Sequence, residues 1–163
     1  MDNPLFLKDS LSREISALQD LLLLSEQEKE AVIQNDVQSI SSIVEQQQSL
    51  LNALKTIRTE REGRLSSLSG SRAPDEPLNL KDVIDALSGE TGDELRRLFA
   101  QRESVAQQLR SITALNRKLI DTQLQYTSYC VNLITGQGST PGTYSESGAI
   151  KEGGARSIFD QSV

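Results

Sequence analysis

The few side chains that could do chemistry in this sequence are scattered, and their spacing argues against a reaction centre. Three carboxylates, Glu26, Glu28 and Glu30, lie close together, but they occupy alternate positions of a helical stretch and so point in different directions. A single cysteine, Cys130, excludes an internal disulfide and a zinc site built from thiolates. The sequence contains no His, the commonest general base and metal ligand. We therefore expect no catalytic residue, metal or cofactor, and interpret the chain as a protein that is not an enzyme.

Sequence motifs and charge limit the other classes of function. No Gly-rich phosphate loop precedes Lys-Ser or Lys-Thr, and no Gly-x-Ser-x-Gly element is present. The net charge of −6 argues against nucleic acid and anionic membranes as partners. The N-terminal segment is charged where a signal peptide is apolar, and the apolar run Leu21–Leu24 is too short to cross a bilayer. We expect a cytoplasmic protein without membrane insertion.

The strongest pattern in the chain is a spacing of three then four residues that repeats without a break over its last third. The positions are Leu95, Leu98, Arg102, Val105, Leu109, Ile112, Asn116, Leu119, Gln123, Tyr126, Cys130 and Leu133. Nine of these twelve residues are apolar, and all lie on one side of a single long helix. Because such a face has to be covered by other helices, the pattern indicates a protein that presents helical surface to other chains.

A first long helix is predicted from a similar but weaker spacing. Its row consists of Leu11, Ile15, Leu18, Leu22, Ser25, Lys29 and Val32. The helix is expected to run from about Pro4 to Gln34, with its acidic residues, Glu14 among them, on a solvated face. Asn tolerates the left-handed backbone that ends a helix and Asp is a good N-cap, so a chain reversal is expected at Asn35 and Asp36.

A second long helix follows this reversal. Its row consists of Ile40, Ile43, Gln47, Leu50, Leu54 and Ile57. Val44 and Leu51 are expected to widen the apolar face. The pattern fades through Arg61 and Leu65, and the mixed charges of the segment RTERE predict a solvated helix end. The segment SGSRAPDEP at residues 69–77 is a loop by composition.

Turn residues predict the remaining boundaries. Asn79 can cap a short helix that ends before Gly89, and Thr91 with Glu94 forms a capping box for the long helix, which is expected to end at Thr135.

The sequence therefore predicts an all-α fold, an elongated antiparallel helical bundle of three long helices plus one short helix. We expect this bundle to comprise residues 1–135 and to be followed by a flexible Gly/Ser-rich tail at residues 136–163.

A second apolar row appears only toward the end of the long helix. It consists of Ile120, Leu124, Thr127, Val131 and Ile134. This row lies about 100° around the helix axis from the main row, so this end is apolar over a wider arc. Either the whole arc is core, or part of it is left open for a partner helix. On the second interpretation the candidate binding residues are Leu119, Ile120, Leu124, Val131 and Ile134.

Several features together resemble the FlgN family of flagellar export chaperones. QQQSLLNAL follows the first break, Asn116 opens NRKLIDTQLQ in the long helix, and the tail contains TYSESG and GGARSI. Tyr144 and Gly148 fall where that family commonly has a Tyr-Gly-x-x-Gly-like element. The sequence departs from the family at Ser145, where Gly is usual. Its C-terminal segment, which is commonly basic in that family, has only two cationic residues, Lys151 and Arg156.

The resemblance implies a chaperone that binds the hook-filament junction proteins FlgK and FlgL and delivers them to the type III export gate. It also implies that Tyr144 and Gly148 dock on the gate protein FlhA. Two alternatives remain open. One is a coiled-coil structural or tethering protein that forms a homodimer through the Leu95 to Leu133 row, and the other is a type III chaperone for a different flagellar client.

Overall fold

The structure, a computed structural model, describes residues 3–68 and 79–136, and these residues form four α-helices and no β-strand. The helices are α1 (Asn3–Gln34), α2 (Val37–Leu68), α3 (Leu80–Asp85) and α4 (Glu90–Thr135). The predicted all-α class is confirmed. The chain divides into two compact units, residues 1–117 and residues 118–163. No helix in either described range is long and apolar enough to cross a membrane.

The turn between α1 and α2 lies where the sequence predicts it. Asn35 has a φ of 56°, the left-handed conformation that ends a helix. The Asp36 carboxylate accepts hydrogen bonds from the Ser39 backbone nitrogen at 3.0 Å and from the Ser39 hydroxyl at 2.6 Å. The hydrogen bond from the Ser39 hydroxyl is the main cause that lowers the pKa of Asp36, and the bond from the Ser39 backbone nitrogen lowers it further. Asp36 therefore caps α2 as an ionised carboxylate.

Two apolar clusters hold the first unit together. The first, here the four-helix cluster, contains Leu7, Leu11, Leu65, Ile84 and Leu95, and so draws on every helix. The second, here the two-helix cluster, contains Leu24, Ala31 and Ile43, with Ile40 and Leu50 packed against it. The two-helix cluster lies nearer the α1–α2 turn and draws on α1 and α2 alone.

Burial along α2 differs from the predicted pattern in both directions. Arg61 and Leu65, predicted to lie at a solvated end, are buried, because Leu65 belongs to the four-helix cluster and Arg61 contacts Glu14. Val44 and Leu51 do not widen the core face and are about half exposed. These two residues lie beside the face of α2 that packs on α1. Periodicity alone therefore overestimates the width of the buried face of α2.

The short helix α3 begins as predicted at Asn79, whose side-chain oxygen accepts a hydrogen bond from the backbone nitrogen of Lys81 at 3.1 Å. The chain then turns at Gly89, which has a φ of 81°.

The start of α4 differs from the prediction. This helix begins at Glu90, so the predicted capping box of Thr91 and Glu94 is wrong, and Thr91 already lies inside the first turn. Gly92 is buried in that turn against the chain that follows α3. A Cβ added at Gly92 would lie 2.3 Å from the carbonyl oxygen of Leu87. This close backbone contact packs the first turn of α4 against the segment that follows α3 and requires glycine.

Candidate partner-binding surface

A buried charge cluster joins three helices within residues 1–117. Glu14 of α1 is only 8% exposed, so its predicted place on a solvated face is wrong. Its carboxylate accepts hydrogen bonds from Arg61 of α2 and from Nε of Arg102 of α4, the latter at 2.9 Å. Arg102 also pairs with the neighbouring Glu103. The ion pair with Glu14 explains why a charged residue interrupts the apolar row of α4.

Opposing effects act on the pKa of Glu14. Burial raises it, but the hydrogen bonds and positive charges of Arg61 and Arg102 outweigh burial, and the net pKa is lowered. The two arginines lie 47 and 88 residues away in sequence, which is why a local pattern does not reveal them.

A second buried polar layer, here the Asn116 layer, lies at the next polar position of the row. Asn116 is 2% exposed, and its Nδ2 donates to the Ser25 carbonyl at 2.7 Å and to Oε2 of Glu28 at 2.9 Å. Gln47 of α2 donates to the same Glu28 oxygen at 3.2 Å. Oδ1 of Asn116 has no hydrogen-bond partner among the described residues. Polar groups of three helices therefore meet in one layer, which favours a single alignment of the helices.

These contacts also give the direction of the helices within the first unit. Arg102 contacts Glu14 and Asn116 contacts Ser25, so α1 and α4 run in the same direction. Arg61 contacts Glu14, whereas Gln47, earlier in α2, contacts Glu28, later in α1. The helix α2 therefore runs in the opposite direction to α1.

The second unit, described from residue 118 to residue 136, presents a different surface. Six of its large apolar side chains are between 50% and 74% exposed, and these are Leu124, Tyr126, Tyr129, Val131, Leu133 and Ile134. Leu119 and Ile120 are half-buried. We call these eight residues the terminal α4 surface. The main row was expected to be covered along its whole length, and at Tyr126 and Leu133 it is exposed.

The terminal α4 surface is also uncharged. No Asp, Glu, Lys or Arg occurs in α4 after Asp121. A hydrogen bond with the Cys130 side chain is the main cause that raises the pKa of Tyr126, so this phenol stays neutral near neutral pH. The hydroxyls of Thr122 and Thr135 donate to carbonyls of their own helix, those of Lys118 at 2.8 Å and Val131 at 2.9 Å. The surface therefore offers apolar contact and no acid or base.

The five candidate binding residues predicted from the sequence differ in exposure. Leu124, Val131 and Ile134 are exposed in the structure, so the second row is surface rather than core at these positions. Sequence reasoning missed Tyr129, which lies outside both rows, and assigned Tyr126 to the covered face. The absence of charge after Asp121 is the sequence signal that could have identified this surface.

The remaining candidate residues from the sequence are the docking residues of the tail and possible metal ligands. Tyr144 and Gly148 lie outside the described residues, so their docking role stays a prediction. Within residues 3–68 and 79–136, no three His, Cys, Asp or Glu side chains are grouped so that they could hold a metal ion.

Comparison with known proteins assigns the family. The family model described as FlgN protein matches residues 6–152, which include both polar layers and the terminal α4 surface. Neither the curated proteins nor the solved structures provide a significant match. The match extends over most of the sequence, well beyond the short segments that carry the resemblance. This chain therefore belongs to the FlgN family.

Proposed function

We propose that this chain is a cytoplasmic, non-catalytic flagellar export chaperone that covers helical segments of the hook-filament junction proteins FlgK and FlgL with its terminal α4 surface. Membership of the FlgN family supports the general role of an export chaperone. The observation that carries the assignment to this surface is the exposure of apolar side chains on a helix end that carries no charge.

The scaffold in this proposal is an antiparallel bundle of three long helices and one short helix. The ion pairs of Glu14 and the Asn116 layer support it, because they join α1, α2 and α4 at two levels. In this proposal the bundle holds α4 as far as Asn116, and the terminal α4 surface contacts the client.

The energetics of such a surface suit temporary binding. A soluble chain seldom leaves a contiguous apolar patch uncovered unless a partner uses it. Covering a half-exposed Leu or Ile contributes about 1 kcal/mol, and the loss of translational and rotational freedom offsets part of the total. A client helix can thus be held before export and released without nucleotide hydrolysis.

Co-purification from cells tests the client assignment. We expect FlgK and FlgL to be recovered with the tagged chain. Recovery of a different flagellar protein instead would favour a type III chaperone for another client. Recovery of no export substrate, together with a stable homodimer of the chain, would favour the coiled-coil tether, for which the exposed apolar end of α4 is also suited.

We further propose that Tyr144 and Gly148 dock on FlhA, which the family resemblance supports. A Tyr side chain can supply apolar contact and one hydrogen-bonding hydroxyl to such a site. Tyr144→Ala should leave the affinity for FlgK unchanged and reduce both FlhA binding and FlgK export. Normal export by this variant, or loss of FlgK binding, would count against a separate docking role.

A further inference from the structure

We infer that the terminal α4 surface holds two helices side by side, supplied by one client chain as a helical hairpin, rather than one helix alone. The inference rests on the proposed function and concerns the same surface. It specifies the shape of the partner.

The width of the apolar arc is the first observation. At about 100° per residue, the apolar side chains from Tyr129 around to Leu124 cover about 220° of the helix circumference. Only uncharged residues interrupt this arc, and these are Thr122, Gln123 and Thr127. Since a stripe of about 100° is enough for a helix to pack on a core, one partner helix would leave much of the arc exposed.

The first half of the same helix shows how such an arc is covered. There the large apolar side chains run from the exposed Leu115 around to Phe99 and cover about 200°, and those that are buried or half-buried, from Ile112 around to Phe99, cover about 140°. This narrower arc already faces two helices, because Arg102 contacts Glu14 of α1 and Leu95 shares a cluster with Leu65 of α2. The wider arc of residues 119–134 has room for two helices as well.

The two rows of the surface are equal in length. The main row runs from Leu119 to Leu133 and the second from Ile120 to Ile134, so each extends about 21 Å along the helix axis. Rows of equal length one residue apart fit two adjacent helices of about four turns each, as in a hairpin. The client faces that meet them should be apolar and uncharged, since α4 offers no ion-pair partner after Asp121.

Row-specific variants test this geometry with full-length FlgK as the probe. Leu133→Asp alters the main row and Leu124→Asp alters the second row, while Leu23→Asp, at an exposed leucine of α1, is the matched control. Binding affinity, the mass of the complex and amide hydrogen exchange of bound FlgK are measured for each variant.

We expect each row variant to weaken FlgK binding at least tenfold and to deprotect a different FlgK helix, with one copy of each chain in the complex. Deprotection of the same FlgK segment by both variants would show a single client helix and overturn the inference. A complex with two copies of the chaperone, in which one row variant separates those copies, would also overturn it. Failure of the unmodified chain to bind FlgK would instead refute the proposed function itself.

Discussion

The two halves of α4 show how one helical pattern can produce a core face in one place and an exposed surface in another. Between Leu95 and Asn116 the row is interrupted by Arg102 and Asn116, which pair with residues of α1, and its apolar members are buried or half-buried. From Leu119 onward the row continues with the same spacing, but none of its five side chains is buried, and Tyr126 and Leu133 are exposed. The difference teaches that apolar spacing is the same in the buried and the exposed half of α4, and that polar contacts to another helix accompany the buried half.

The largest difference between the halves should appear when one leucine of each is shortened. Leu95→Ala removes a fully buried side chain from the four-helix cluster and should lower the free energy of unfolding by about 3–4 kcal/mol. Leu133→Ala, at an exposed position, should change it by no more than about 0.5 kcal/mol. Urea unfolding followed by circular dichroism measures both. Equal losses in the two variants would refute the distinction between core and surface.

The next largest effect concerns the buried charge cluster. Glu14→Gln leaves Arg61 and Arg102 without their shared carboxylate and should lower the free energy of unfolding by about 3 kcal/mol at neutral pH. A loss below about 0.5 kcal/mol would show that the cluster contributes little.

The pH dependence provides an independent check on Glu14. Because its folded pKa lies below the ordinary value of 4.5, the ionised form stabilises the fold above that pH. This stabilisation should be lost as the pH falls below 4.5 and through the folded pKa. In Glu14→Gln the acid-induced loss should be smaller than in the unmodified chain, and an identical pH profile would contradict the assigned role.

A smaller effect is expected at the Asn116 layer. Asn116→Ala removes the donor to the Ser25 carbonyl and to Glu28, and should cost about 1–2 kcal/mol. Glu28 keeps its hydrogen bond from Gln47, which limits the loss. Thermal unfolding measures the change, with the exposed Leu115→Ala as a nearby control. A loss as large as that of Leu95→Ala would mean that the layer is essential to the fold.

The fold was largely accessible from the sequence because its signals are local. Apolar spacing predicts the long helices, and the turn at Asn35 and Asp36 follows from the backbone preference of Asn and the capping ability of Asp. The start of α4 was missed because it depends on a close contact between Gly92 and the Leu87 carbonyl, which periodicity does not encode.

The candidate surface was only partly predictable because its exposure depends on residues far away in sequence. The burial of Glu14 follows from arginines on two other helices, whereas Tyr126 and Leu133 are exposed although they continue the same local spacing. Helix length was an available signal, since α4 has 46 residues whereas α1 and α2 have 32 each. Periodicity states which residues share a face, not whether another helix reaches them.

The central claim, that the exposed end of α4 is the client surface, is tested most directly by Leu124→Asp. The measurement is FlgK affinity together with the melting temperature, with Leu23→Asp as the matched exposed control. We expect Leu124→Asp to weaken FlgK binding about 100-fold, because a charge is buried without a partner in the complex, while the melting temperature stays close to that of the unmodified chain. The control should retain both properties. A sharp fall in melting temperature would show that Leu124 belongs to the core, and unchanged FlgK affinity would show that the client binds elsewhere.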